Sequence, residues 1–381
     1  MNILFLLHSY PKIGGIEMVT QTISQYLKKK HNLYYLARIA DNSVVMDQTN
    51  CFYFPSKSKK ESIYYYNTLI SKLQIDIVIN QGPFLPFNNI ISNPERNKNV
   101  RIFSFVHFAP GFEFERIKYV WMTEKKSIKR FYKQIKTKLG LNTLQYNPDK
   151  TRKKYRDLYN ICNKTVVLSP AYIKTFKDIY KLNESSKLIS IPNPTKYTCH
   201  DNNILSKKKK IVLFVGRLEL ESKRVDRLLS IWKSIENKDD WNLKIIGDGP
   251  HRKELERMVR NDNIEQVTFL GQQNDIQPFY EEASIIVLTS TYEGLSLCFI
   301  EGIQYGAVPI SFDVSYGNRE LLKAISPDII IEPFSLDTYS RKLTELMHDN
   351  IYRNTLSRNA LQKSTEYLLE NIGEKWDNLL T

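Results

Sequence analysis

The sequence lacks any apolar run long enough to cross a bilayer. Its longest uninterrupted stretches, such as IIVL at 285–288, fall far short of the roughly 20 residues that a spanning helix requires. The first residues, MNILFLLHSYPKIGG, have neither a basic leader nor a small-residue cleavage site. Their apolar run is of strand length, so a signal peptide is not expected and the chain reads as cytoplasmic. Cysteine is scarce: Cys51, Cys162, Cys199 and Cys298 are scattered, without CxxC or Cys/His ligand spacing. That excludes a disulfide framework and a structural zinc pattern, and it suits reduced thiols. No period of 20 to 50 residues and no substantial low-complexity tract is present. The one glycine pattern that hints at a dinucleotide, GDGPHR, has Arg252 where the third glycine of GxGxxG belongs, which disfavours an NAD enzyme and leaves a tight strand-to-helix turn.

What is present is ample apolar material: 381 residues, 42% of them hydrophobic, enough for two cores. The net charge of +14 is unevenly placed. Residues 116–156 hold 14 Lys and Arg against two acids, Glu124 and Asp149, so this segment carries +12 and the remainder about +2.

NILFLLHS reads as a first strand, followed by Gly14-Gly15 and a helix with Ile16, Val19, Ile23 and Leu27 at helical spacing. Short β-rich runs follow at 75–80, 101–107, 165–169 and 187–193, several with helical periodicity after them. Residues 195–210 are polar, charged and aperiodic, and read as a linker. A second series of strands follows at 211–218, 241–249, 267–271, 283–290, 307–313 and 328–333. Continuous apolar strands alternating with helices predict parallel sheets covered on both faces. The fold class is therefore α/β, with two tandem Rossmann-like, doubly wound domains facing across a cleft. The first spans 1–195, the second 196–365, and the C-terminal helix, about 366–381, is expected to pack back on the first.

Ligands of such sheets sit beyond the carboxyl ends of the strands. Several motifs fall there. Gly14 and Gly15 form either a plain turn or a close approach to phosphate at a helix start. Arg217 ends a strand and Lys223 precedes a helix; the pair is either solvated surface or a diphosphate clamp, Arg as a fork and Lys as a point charge. In TYEGLSLCFIEG, Glu293 lies on a loop and Glu301 on a helix, with the N–H groups of Gly294, Leu295 and Ser296 between them. Carboxylates from one short loop and helix would lie on one side of a ligand, unlike a glycosidase pair. No His or third acid stands nearby at metal-ligand spacing, so no metal is expected. His107 ends a strand, as a structural residue or a ligand contact.

Taken together, Glu293-Gly-Leu-Ser-x4-Glu301, Gly216-Arg217-Leu218 with Lys223, Gly14-Gly15-Ile16-Glu17, the GDGP turn and the closing GAVPISFDVSYGNREL resemble the family four retaining glycosyltransferases. The resemblance extends over nearly the whole chain and implies the GT-B fold. It also implies a retaining hexosyltransferase that uses a nucleotide sugar, UDP-linked in preference, to extend a saccharide or lipid-linked acceptor during polysaccharide or lipopolysaccharide assembly. Glu293 and His107 would then act at the transferred sugar. Arg217 and Lys223 would neutralise the diphosphate, Glu301 would hold the ribose, Gly294, Leu295 and Ser296 would donate from the main chain, and Gly14 and Gly15 would close over the diphosphate. Asn193 matches a position where the family usually has Asn-Gly, but Pro194 replaces the glycine. The nucleotide sugar is a co-substrate, and no cofactor is implied.

The basic segment contains EKKSIKRFYKQIKTKL, with Ile128, Phe131, Tyr132, Ile135 and Leu139 at helical spacing. Lys125, Lys126, Lys129, Arg130, Lys133 and Lys136 crowd its other positions. Such a helix binds an anionic membrane surface, packs its stripe on the first domain, or binds a nucleic-acid backbone. The membrane reading places the enzyme peripherally on the inner face of the membrane. The rivals to a transferase are a nucleotide-sugar epimerase or hydrolase of the same fold and a non-enzymatic nucleic-acid binder.

Overall fold

A computed structural model describes residues 1–12, 14–40, 50–56, 58–82, 87–114 and 148–381. The basic stretch with Lys125, Lys126, Lys129, Arg130, Lys133 and Lys136 lies outside them. The described chain divides into two compact units. Of the described residues, the first takes those of 1–111 and 148–194 together with Ile372–Thr381; the second takes 112–114 and Thr195–Asn371.

In the N-terminal unit, among the described residues, seven parallel strands form one sheet. They are β1 (Asn2–Ser9), β2 (Asn32–Ile39), β3 (Cys51–Tyr53), β4 (Ile77–Asn80), β5 (Arg101–Val106), β6 (Lys164–Val167) and β7 (Leu188–Ser190), in the order β3-β2-β1-β4-β5-β6-β7. The helices are α1 (Gly15–Leu27), α2 (Lys59–Lys72), α3 (Phe87–Ile91), α4 (Pro148–Ile161) and α5 (Ala171–Tyr180). The unbroken apolar run of β1 is explained by burial on both faces: Ile3, Leu4, Phe5, Leu6 and Leu7 are all inside. On one face Leu4, Leu6, Leu36 and Val78 meet Leu69 and Ile70 of α2 and Ile90 and Ile91 of α3. Each such side chain contributes roughly 1.5–3 kcal/mol by leaving water. Helix α1 buries Val19, Ile23 and Leu27, while Ile16 is half-buried.

In the C-terminal unit six parallel strands run β10-β9-β8-β11-β12-β13. Their ranges are β8 (Lys209–Val215), β9 (Asn242–Ile246), β10 (Val267–Gly271), β11 (Ala283–Leu288), β12 (Val308–Phe312) and β13 (Ile330–Ile331). The helices are α6 (Val225–Ser234), α7 (Arg252–Asn261), α8 (Gln277–Glu282), α9 (Leu297–Ile303), α10 (Tyr316–Lys323), α11 (Leu336–His348) and α12 (Asn350–Ser364), while α13 (Leu369–Leu380) counts with the N-terminal unit from Ile372 on. Every residue of β11 and β12 is buried. In both sheets the strand order reverses beside the first strand of the unit, at β1/β4 and at β8/β11, which opens a crevice at the carboxyl ends there.

Two differences from the sequence reading stand out. Strands β2 and β3 were not expected, and the expected linker at 195–210 is folded. Thr195 N–H donates to Tyr367 O at 3.0 Å, residues Ile204–Lys207 form a 3₁₀ turn, and Tyr197 and Ile204 are buried. Tyr197 packs edge-on against Tyr280 and Tyr305, so aromatic burial overrides a polar local composition.

Candidate functional site

The loop after β8 is built by close backbone approach. Gly247 has φ +127°, and a Cβ there would sit 2.0 Å from Gly216 O; a Cβ on Gly249 would sit 2.5 Å from Leu218 O. Leu218 N–H donates to Asp248 O at 2.9 Å. The GDGP turn is thus the bed on which Gly216-Arg217-Leu218 lies. Arg217 projects from it, exposed, with its nearest acid Glu219 4.0 Å away. The segment is tied to the end of β11 as well: Thr291 N–H donates to Ser222 O at 2.7 Å, and Thr289 Oγ1 donates to Arg224 O at 2.9 Å.

That tie brings Lys223 to Glu293, their charged atoms 2.6 Å apart, with Ser290 Oγ donating to the same carboxylate oxygen at 2.5 Å. Both side chains are mostly covered. Burial opposes the charge on Lys223, but the Glu293 carboxylate holds its pKa above the ordinary lysine value. Glu301, in α9, accepts from Tyr280 Oη of α8 at 2.7 Å. Burial pushes its pKa up to about 7, against the opposing pull of the Tyr280 hydrogen bond and of Lys196. The buried Cys298 thiol, pushed up to about 12 by burial, is acted on by Lys223, Glu293 and Glu301, so the three share one neighbourhood.

The main-chain donors expected between the glutamates need one correction. Ser296 N–H already donates to Asn318 Oδ1 at 2.9 Å, and Ser296 Oγ accepts from Asn318 Nδ2 at 2.9 Å. A buried amide that has found a partner inside the protein is withdrawn from ligand binding. Asn318 is itself fixed where Ser315, the N-cap of α10, accepts its N–H at 3.1 Å. The SYGN stretch is therefore a clamp on the loop that carries Gly294 and Leu295.

In the N-terminal unit, Gly14 and Gly15 stand at the start of α1, Gly14 extended at φ −171°. His107 follows β5 and is half-buried. Its Nε2 lies 2.5 Å from Oε1 of Gln81, which follows β4. An amide oxygen only accepts, so this contact calls for a proton on Nε2. Burial pushes the His107 pKa down to about 4, opposed by a hydrogen bond with Asn193. The ring is neutral near pH 7, and it can stabilise charge only through its dipole and hydrogen bonds.

Sequence reasoning missed Gln81, Ser290, Tyr280 and Asn318. Only Gln81 carried a signal, since it ends the IVIN strand at the carboxyl edge as His107 ends the next one.

With two such sheets, the chain belongs in fold to the GT-B glycosyltransferases. The crystal structure of Anabaena HepE in complex with UDP-glucose superposes with a TM-score of 0.75 at 15% identity, covering 100% of this chain and 99% of that one. More narrowly, residues 198–363, most of the C-terminal unit, match the family model of glycosyl transferases group 1. An uncharacterized glycosyltransferase of Haemophilus influenzae is 32% identical over 222 residues, 58% of this chain and 61% of that protein. The amylovoran biosynthesis glycosyltransferase AmsD of Erwinia amylovora is 26% identical over 335 residues, 82% of this chain and 93% of that one.

Proposed function

We propose that the protein is a retaining glycosyltransferase that moves a hexose from a UDP-sugar onto a saccharide acceptor in bacterial surface polysaccharide assembly. The observation that carries this reading is the Lys223–Glu293 pair, 2.6 Å apart, set beside Glu301 at the carboxyl edge of a group 1 domain. The relative AmsD, named for amylovoran biosynthesis, and the UDP-glucose complex of HepE support the acceptor and donor classes.

In this reading Arg217 and Lys223 neutralise the departing diphosphate, Glu301 accepts from the ribose hydroxyls, and Glu293 faces the transferred sugar. Gly294 and Leu295 add main-chain donors. In the N-terminal unit, Gly14 and Gly15 are assigned to phosphate and His107 to a sugar. Retention needs no enzymic nucleophile: as the C1–O bond to the β-phosphate breaks, that phosphate takes the proton of the acceptor hydroxyl attacking the same face. Catalysis is then orientation and electrostatic stabilisation of the leaving group by fixed cations, without a metal ion.

Among the described residues no helix is long and apolar enough to cross a membrane. The sequence of 124–139 supports peripheral attachment to an anionic surface, where a lipid-linked acceptor would be met.

The test is thermal unfolding with UDP, UDP-glucose, UDP-galactose and GDP-mannose, since a ligand of the native state raises Tm with affinity. Stabilisation by UDP and one UDP-sugar is expected, followed by an α-linked product from that α-linked donor by NMR. Stabilisation by none of the UDP ligands overturns the donor assignment, and a β-linked product overturns retention.

A further inference from the structure

Arg38 is a cation held against aromatic rings, with no carboxylate partner among the described residues. It belongs to β2, and its guanidinium carbon lies 5.3 Å from the ring centre of Phe54 and 5.6 Å from that of Phe87. The two rings are themselves stacked, 5.9 Å apart, and buried in the cluster beneath β1, β2 and β4. Its Nε is buried without a hydrogen-bond partner, and among the described residues no carboxylate pairs with it.

An imidazole and a second cation stand near it. In the parallel pairing of β1 with β2, Leu7 faces Ala37 and Ser9 faces Ile39, so His8 is the neighbour of Arg38 on the same face. His8 is exposed, and burial, Lys12 and Arg38 all lower its pKa, so its ring is a neutral hydrogen-bonding group within electrostatic reach of both cations. The acid that Lys12 acts on is Glu17, whose own pKa burial raises.

A half-buried guanidinium without a counter-ion is costly, and contacts with aromatic faces recover only part of that cost. A residue selected for packing alone would be apolar or paired. What the rings do is hold a planar two-pronged donor at the carboxyl edge of the sheet, the geometry that matches a carboxylate or phosphate. In the strand order β3-β2-β1-β4-β5, Arg38 is three strand spacings, about 14 Å, from the strand that His107 follows. Arg38 therefore serves a different strand end from His107.

We propose that Arg38, with His8 and Lys12, binds an anionic group, a carboxylate or a phosphate, on the saccharide acceptor, at a position remote from the hydroxyl that is glycosylated. This rests on the glycosyltransferase reading for the word acceptor, while the anion site rests on the N-terminal unit alone.

The experiment titrates glucuronate, inorganic phosphate and, as neutral control, glucose into the full chain saturated with UDP, following the His8 ring signals by NMR. One of the two anions is expected to shift them, and Arg38→Gln should weaken that binding at least tenfold; which anion acts identifies the source. Arg38→Met is expected to keep the wild-type affinity for UDP and to unfold at the same or a higher Tm, because an uncompensated charge has been removed. Anion binding equal in wild type and Arg38→Gln, or a Tm several degrees lower in Arg38→Met, overturns the site. Failure of UDP to bind the wild type, with the anion response intact, removes the donor reading and with it the acceptor as the anion's owner.

Discussion

Glu301 has a carboxyl whose burial costs it its charge unless a ligand compensates. With a pKa raised from 4.5 to about 7, it stays protonated in the folded chain at pH values where the unfolded chain has released its proton. Stability therefore falls as pH rises from about 4.5 to about 7 and is level above that window. Glu301→Gln keeps an acceptor for Tyr280 and removes the titration, so the loss of Tm between pH 5 and pH 8 should shrink. The same variant should bind UDP roughly ten- to a hundredfold more weakly, the value of about 1.5–3 kcal/mol for a hydrogen bond to a charged group. Calorimetry at both pH values checks the two effects, and an unchanged pH slope refutes the burial argument. The two glutamates were legible in the sequence because one loop and one helix carry both. Tyr280 and Asn318 were not, because each arrives from another helix, and nothing in a linear spacing announces a partner that only packing supplies.

At the scale of elements, the glycines of GDGP show how a turn shapes a neighbouring strand end. The sequence allowed a tight turn there; the reason for it is the backbone of Gly216 and Leu218, which fills the space a Cβ would need. Gly247→Ala combines positive φ with a clash against a carbonyl that cannot rotate away. A loss of about 3 kcal/mol or more is expected in urea unfolding. UDP binding should weaken too, since Arg217 sits on the displaced segment. A loss under about 1 kcal/mol, the scale of an ordinary Gly→Ala change, contradicts the close-approach account. Strands such as β1 and β11 were legible from unbroken apolar runs. β2 was not, because NLYYLARI mixes apolar, aromatic and charged residues, and three-residue β3 is too short to show a period.

For the whole molecule, chain order and spatial grouping differ in two ways that matter. The last residues count with the N-terminal unit: the Trp376 ring stacks on Phe105 at 4.5 Å and lies near Phe5, and Tyr26 Oη donates to Asp377 at 2.8 Å. Trp376→Ala should cost about 3–5 kcal/mol through the cavity it leaves. Urea unfolding followed by near-UV signals checks this, and a loss under 1 kcal/mol would place the helix outside the core. Charge is the second difference, since residues 116–156 carry +12 of the +14. If each cation near an anionic surface contributes about 1 kcal/mol, reversing Lys129, Arg130, Lys133 and Lys136 removes at least about 4 kcal/mol, roughly a thousandfold in partitioning. Wild type should sediment with phosphatidylserine vesicles, and less at high salt, because surface attraction is screened within about 3 Å at 1 M. The fourfold variant should stay in the supernatant while its UDP affinity is unchanged. Equal sedimentation of variant and wild type refutes membrane attachment through this segment, and equal sedimentation with neutral vesicles shifts the attraction from its cations to its apolar stripe.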